Sequence, residues 1–235
     1  MNRRNVIRAA AVAATAAVPM AVLAQSGQDS ESSRRDKIDI REILEKWAVY
    51  RDAGDWERFA TVWTNDGYMM ATWFQGPATE FIKVSRDGFE KGASTILHFL
   101  GGSAIDLAGA RAVAQTKMTI TQRAKLEGNL VDVVCTGRFY DFLEKRQGKW
   151  GIVLRRLFYE QDRILSIDPS VTLKLDPKLL ASFPVGYQHL GYLQTKLGFK
   201  VKPDMPGLKG PETAALYALG KRWLAGDKMD ASFRK

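Results

Sequence analysis

Two histidines serve the whole 235-residue chain, and one of them, His98, stands in the middle of the apolar run Ser94-Thr-Ile-Leu-His-Phe-Leu-Gly-Gly102. An imidazole in such a place is a candidate base near neutral pH, provided its tautomer and ring orientation are fixed; a buried carboxylate accepting from the other ring nitrogen does both. Asp52 is a residue of the right type. It follows Leu44 and Ala48 at helical spacing, at the edge of an apolar stripe, so its side chain can turn toward a sheet packed on that helix. A carboxylate there is costly unless paired, which is a reason to expect a partner. Two plainer readings compete: a core histidine satisfied by a backbone carbonyl, and a structural ion pair between Asp52 and Arg51 or another arginine. Asp55 reads instead as a helix cap.

A proton-moving pair gains from a cation or donor where charge develops. Trp150-Gly-Ile-Val-Leu-Arg-Arg-Leu-Phe-Tyr159 offers two arginines. Strict alternation puts Arg155 on one face with Val153, Leu157 and Tyr159, and Arg156 on the other with Ile152, Leu154 and Phe158. Both faces are apolar, so one arginine enters a cavity and the other an interface. Trp47, Tyr50, Tyr68, Trp73 and Phe139 are candidates to line an apolar, aromatic-accepting pocket, with Tyr68 able to offer a hydroxyl to substrate. His189 reads as a packing or surface histidine, unless the tail that carries it folds over the cavity mouth. Cys135 has no partner cysteine in the chain and reads as a small buried hydrophobe. With two histidines, one cysteine and no ligand spacing, neither a metal site nor a cofactor is expected.

These side chains need elements to carry them. Ile40, Ile43, Leu44, Trp47 and Ala48 give a helix over 36–53 that stops at Gly54, and Asp55 caps a second helix closed by Asn65-Asp-Gly67. Tyr68 to Phe74 is strand-like, Gly76-Pro77 breaks it, and Ser85 opens a short third helix. Strands are expected at 95–100, 111–123, 130–145 and 149–164, turned by Glu127-Gly-Asn129 and Arg146-Gln-Gly148. The pattern is α+β: a strongly bent antiparallel sheet, shaped as a cone-like barrel around three N-terminal helices, with a conical cavity between sheet and first helix. Residues 169–235 form a proline-punctuated extension, helical over 187–197 and 212–225, too small to fold alone and packed across the domain or onto a second subunit.

The ends and the bulk charge bound the setting. Arg3-Arg4, the alanine-rich tract 9–24 and the small residues before Gln25 read as a twin-arginine export leader over 1–24, and 25–35 as a flexible leader. The destination implied is the periplasm or the medium, with no membrane partner after cleavage. Loss of Arg3, Arg4 and Arg8 takes the formal charge from +9 to +6. The basic residues are spread along the chain and form no stripe interleaved with aromatics, so nucleic acid is excluded as a partner. A small aromatic substrate and a homo-oligomer, through the sheet face or the extension, are the partners expected.

Over 36–168 the order of elements resembles the SnoaL-like branch of the nuclear transport factor 2 superfamily. The residues that carry the likeness are "YRDAGDWERFATVW", the glycine-proline after the first strand, "STILHFLGG" and "DFLEKRQGKWGIVLR". That branch includes cofactor-free enzymes such as scytalone dehydratase, the hexachlorocyclohexane dehydrochlorinase and polyketide cyclases. The resemblance implies an aspartate-histidine dyad on Asp52 and His98, with the nearby arginine on Arg155. It also puts Trp47 where the dehydrochlorinase has a lysine, a departure that argues against the same substrate. What it implies is a cofactor-independent lyase or isomerase, by elimination of water or deformylation, acting on a small aromatic or alicyclic molecule. The alternative from the same fold is a non-catalytic exported protein that binds a ligand or dimerises.

Overall fold

The computed structural model describes residues 30–234. The export leader expected over 1–24 lies outside them. Helix α1 runs over Glu31–Asp52, longer than expected, because the Ser30 hydroxyl accepts from the Ser33 amide and starts it five residues before Asp36. Part of the stretch read as flexible is therefore helix. Ile40, Leu44, Trp47, Ala48 and Arg51 form its buried stripe. Gly54 ends the run at φ 71°, a left-handed position that favours glycine. Asp55 then caps α2 (Trp56–Ala60), as its position promised.

The segment that follows departs from the sequence reading. Asn65-Asp-Gly67 does not close a helix; it lies inside strand β1 (Trp63–Met70), whose pairing is irregular between Trp63 and Tyr68. Gly76-Pro77 belongs to a short strand β2 (Gln75–Pro77) folded back on β1. Pro77 precedes α3 (Ala78–Lys91), so Ser85 sits in the middle of that helix and does not open it. Pro77 is both the last residue of β2 and the N-cap of α3, so the strand end and the helix start coincide there.

Four long strands then form a meander: β3 (Ser94–Ala108), β4 (Arg111–Leu126), β5 (Asn129–Arg146) and β6 (Lys149–Ser166). β3 continues through Gly101-Gly102, where its pairing with β4 shifts, instead of ending at Leu100. The sheet order is β2-β1-β6-β5-β4-β3, with β1 parallel to β6 and every other pair antiparallel. The molecule is thus α+β as expected, helices followed by a six-stranded sheet that is not closed, and the β1–β6 pair makes that sheet mixed. α3 carries the chain from β2 to the sheet's far edge at β3, and the meander then returns to set β6 parallel beside β1.

Each face of the sheet has its own core. The inner face carries Ala114, Met118, Val133, Phe139 and Leu157 against α1, α2, α3 and the extension helix α5 (Gln188–Lys196). The outer face carries Val113, Tyr140, Phe142, Leu154 and Phe158 against α6 (Pro211–Leu224) and a final turn at Ala231–Arg234. A short helix α4 (Pro177–Ala181), capped by Asp176, precedes α5. The extension therefore packs across both faces of its own domain. Trp223 is its main bolt: it is buried, its indole donates to the carbonyls of Ala112 and Leu143 at 3.2 Å, and the Arg111 guanidinium lies 4.0 Å from its ring centre. Trp223→Ala is expected to lower stability by about 3–5 kcal/mol, and Trp223→Phe by less; both are read from denaturant unfolding, and equal loss would mean that the indole N–H carries the whole effect.

Candidate active site

Asp52 is the last residue of α1, at the end of the helix where the macrodipole disfavours a carboxylate. β3 supplies the compensation. The His98 amide donates to Asp52 Oδ2 at 2.5 Å, and His98 Nδ1 lies 2.8 Å from Oδ1. One residue thus engages both carboxylate oxygens through its backbone and its ring. The dyad that the sequence spacing suggested is formed, and Arg51, the rival partner, contributes only a contact at 3.5 Å to Oδ1 while donating to the Ile96 carbonyl at 3.3 Å. With Nδ1 donating to Asp52, Nε2 is the ring nitrogen left for substrate. The His98 side chain is only 6% exposed, and burial holds its pKa below the usual histidine range against the opposing pull of Asp52; Arg51 and Arg155 add to the lowering. The ring is neutral at pH 7, which is the state a base needs.

The ring lines a chamber of about 30 Å³ between α1, the inner sheet face and α5. A single water needs roughly 10–15 Å³ by the same measure, so this space holds a small group and no more. Trp47, Trp73 and Phe139 line it, as expected of them. Trp47 meets His98 edge-on with centroids 5.1 Å apart, and Phe139 lies 6.0 Å from it.

Three expected site residues are elsewhere. Tyr68 is on the outer face, paired with Leu154, with the Arg234 guanidinium 4.7 Å from its ring, because strand alternation gives the inner position to Met69. Tyr50 lies off the buried stripe of α1 under Arg58, at 5.1 Å. Arg155 does point inward, but it makes a bidentate pair with Asp141 at 2.6 and 2.9 Å, both side chains being fully buried. Its guanidinium lies 4.2 Å from the Trp47 ring centre and 3.9 Å from that of Phe139, behind the aromatic wall and not in the chamber. Its expected part as a contact for developing charge is not open to it there. Arg156 goes to the outer face and donates to the Phe233 carbonyl. Burial lowers its pKa to about 10.

Alternation along β6 also fails within the stretch that carries the two arginines. A bulge between the Phe142–Leu154 and Leu143–Ile152 pairs puts Val153 with Leu154 on the outer face and Ile152 on the inner one. Other chamber residues were not nominated from sequence. Tyr159 accepts from the Thr72 amide at 3.2 Å and lines the chamber, and burial pushes its phenol well up, so it stays a hydrogen-bond donor. Gln122 is, with Thr116, one of two polar residues in the inward set of β4, a signal readable by period-two counting. Leu190 and Gln194 come from α5, so the extension does wall the chamber. His189 does not reach it: its Nδ1 pairs with buried Asp162 at 2.8 Å, which also accepts from the Leu190 amide and so docks the start of α5. Cys135 is buried on the inner face, its thiol pushed up by burial.

A family model for the SnoaL-like domain matches residues 32–156. The chain belongs to the SnoaL-like family. It is 37% identical over 223 residues to pea pathogenicity protein 2 of Fusarium vanettenii, covering 90% of this chain and 94% of that protein. It is 36% identical over 228 residues to an uncharacterised protein of Emericella nidulans, with the same coverage. Coverage of that extent reaches well past the domain, so most of the C-terminal extension is shared with these relatives. Among solved structures, a type 2 hexachlorocyclohexane dehydrochlorinase superposes with a TM-score of 0.50 at 10% identity, over 61% of this chain and 95% of that one. A Novosphingobium aromaticivorans protein named for scytalone dehydratase gives 0.49 at 16%, over 61% and 94%. These likenesses are of fold.

The buried histidine has a consequence for stability. Its folded pKa lies below the ordinary value of 6.5, so as pH falls through 6.5 the unfolded chain takes up a proton that the folded site refuses, and stability drops from there downward. His98→Gln removes this proton uptake. Unfolding free energies between pH 7 and 5 are expected to fall more steeply for the wild type than for His98→Gln; parallel curves would show that His98 titrates alike in both states.

Proposed function

We propose that the protein is a cofactor-independent lyase in which His98 removes a proton from a small, apolar substrate. The observation that carries this reading is the double engagement of Asp52 by His98 beside a chamber that Tyr159 also lines. In an elimination, Nε2 of neutral His98 takes a proton from substrate carbon as the carbon-oxygen bond breaks. Asp52 stabilises the imidazolium that forms, at no reorganisation cost, because both its oxygens are already held. The Tyr159 hydroxyl holds a substrate oxygen by donating a hydrogen bond. The proton gathered by His98 then goes to the departing hydroxide, which leaves as water and returns the imidazole to its starting state. An isomerisation differs only in that the proton is returned to another carbon. The exported location and the self-association expected from the sequence belong to this proposal and are separable from the chemistry.

Turnover of a panel of aromatic and alicyclic alcohols tests the reading. For any alcohol dehydrated, His98→Ala is expected to lower kcat by about 10²–10⁴, and Asp52→Asn, which leaves the ring's tautomer unfixed, by a comparable factor. Tyr159→Phe is expected to lose less. Equal turnover by the wild type and His98→Ala removes the histidine from the mechanism.

A further inference from the structure

Arg51 closes the buried stripe of α1, one helical turn past Trp47, and lines the chamber with His98. Its side chain is 7% exposed. A guanidinium taken so far from water is costly unless its N–H groups find acceptors. Those of Arg51 find few. Nη1 donates to the Ile96 carbonyl at 3.3 Å and reaches Asp52 Oδ1 at 3.5 Å. Nε and Nη2 have no partner among the described residues, and unlike the Nη1 of Arg155 they are not sealed from the neighbouring space. Burial holds the Arg51 pKa below the usual arginine range against the pull of Asp52, yet a guanidinium stays protonated in a protein.

Neutralising Asp52 does not account for this arrangement. Where arginines of this chain do neutralise an aspartate, they use two N–H groups: Arg155 meets Asp141 at 2.6 and 2.9 Å, and Arg123 meets both oxygens of Asp132 at 2.7 Å. Arg51 stands off from Asp52, whose oxygens are engaged by His98. Holding α1 against β3 does not account for it either, since the bond to Ile96 occupies one nitrogen of the fork. The remaining N–H groups border a chamber of about 30 Å³, and a space of that size keeps any group inside it close to both the ring and the guanidinium.

We propose that Arg51 is a catalytic residue whose free N–H groups hold the substrate oxygen on which negative charge collects when His98 removes a proton. This rests on His98 being the base. In the elimination, the C–H bond breaks and its proton goes to Nε2 of His98. The C–H electron pair becomes the new carbon-carbon π bond, and the pair of the breaking C–O bond leaves on oxygen. The site starts with one cation, one anion and a neutral imidazole, and the step adds one imidazolium and one departing hydroxide. Asp52 faces the first and Arg51 the second, so each fixed charge at the end of α1 is matched to one half of the ion pair that proton transfer creates. The place that Arg155, shut behind Trp47 and Phe139, leaves vacant is thereby filled by the residue next to the aspartate.

Sodium formate, an anion small enough for the chamber, tests the assignment without turnover. Added to the full chain at pH 6 and constant ionic strength, it is expected to shift the indole N–H resonances of the chamber residues Trp47 and Trp73 saturably. Arg51→Gln is expected to weaken that binding by about tenfold or more, and Arg51→Lys by less. No saturable shift in the wild type, or undiminished binding by Arg51→Gln, overturns the proposal. Arg51→Gln is expected to unfold at or above the wild-type temperature, because a poorly satisfied buried charge is removed; a marked drop would assign Arg51 to holding the fold and overturn the proposal as well. For any alcohol that the wild type dehydrates, Arg51→Gln is expected to lower kcat by about 10²–10³ with little change in KM, and Arg51→Lys to recover part of the loss. An unchanged kcat removes Arg51 from the chemistry. Turnover lost in Arg51→Gln but kept by His98→Ala instead sinks the base and leaves Arg51 at the substrate oxygen.

Discussion

A carboxylate at the C-terminal end of a helix, facing a sheet, is an electrostatic liability. Asp52 is tolerable there because a single residue of the neighbouring strand meets both of its oxygens, one through a backbone amide and one through a ring nitrogen. The same contact fixes three things at once: the crossing of α1 over β3, the tautomer of the imidazole, and the direction in which Nε2 points. Loss of the carboxylate would leave a buried amide and a buried ring N–H without acceptors, so the catalytic arrangement and the local fold share one interaction.

Around this contact the molecule sorts its buried charges into separate compartments. Arg155 and Asp141 neutralise each other behind Trp47 and Phe139, where burial pushes the Asp141 carboxyl up and the Arg155 fork opposes it. The guanidinium serves as a flat, charged backing for two aromatic rings, and those rings in turn face His98. Arg155 is thus a positioning residue by its geometry. Removing Asp141 alone would strand a buried cation at a cost of about 3–5 kcal/mol. The extension closes the arrangement from the other side, its α5 docked by Asp162 and its Leu190 and Gln194 lining the chamber.

How much of this was legible in the sequence depended on whether the signal was local. Helical spacing placed Asp52 at the edge of a buried stripe, and an imidazole in an apolar strand asked for an acceptor; one long-range contact satisfied both. Period-two counting put Arg155 and Arg156 on opposite faces and the family resemblance chose Arg155 for the cavity side, but neither could show the bulge at Val153, nor that Asp141 on the neighbouring strand faced Arg155. The parallel β1–β6 pair was invisible because register between distant strands is set by packing and not by any local pattern. Tyr68 and Tyr50 were misplaced for related reasons: one residue of strand phase and a fraction of a helical turn each separate the cavity from the opposite side. The wall contributed by α5 belongs to a segment whose docking depends on Asp162 and Trp223, contacts between residues far apart in the chain.

The most direct test of the account is nitrogen-15 NMR of the His98 ring. A neutral imidazole protonated at Nδ1, with a strongly deshielded proton shared with Asp52, persisting as pH falls below 6.5 and lost in Asp52→Asn, is the result predicted. A ring protonated at Nε2, or one that gains its second proton at an ordinary pH of 6.5, would contradict it.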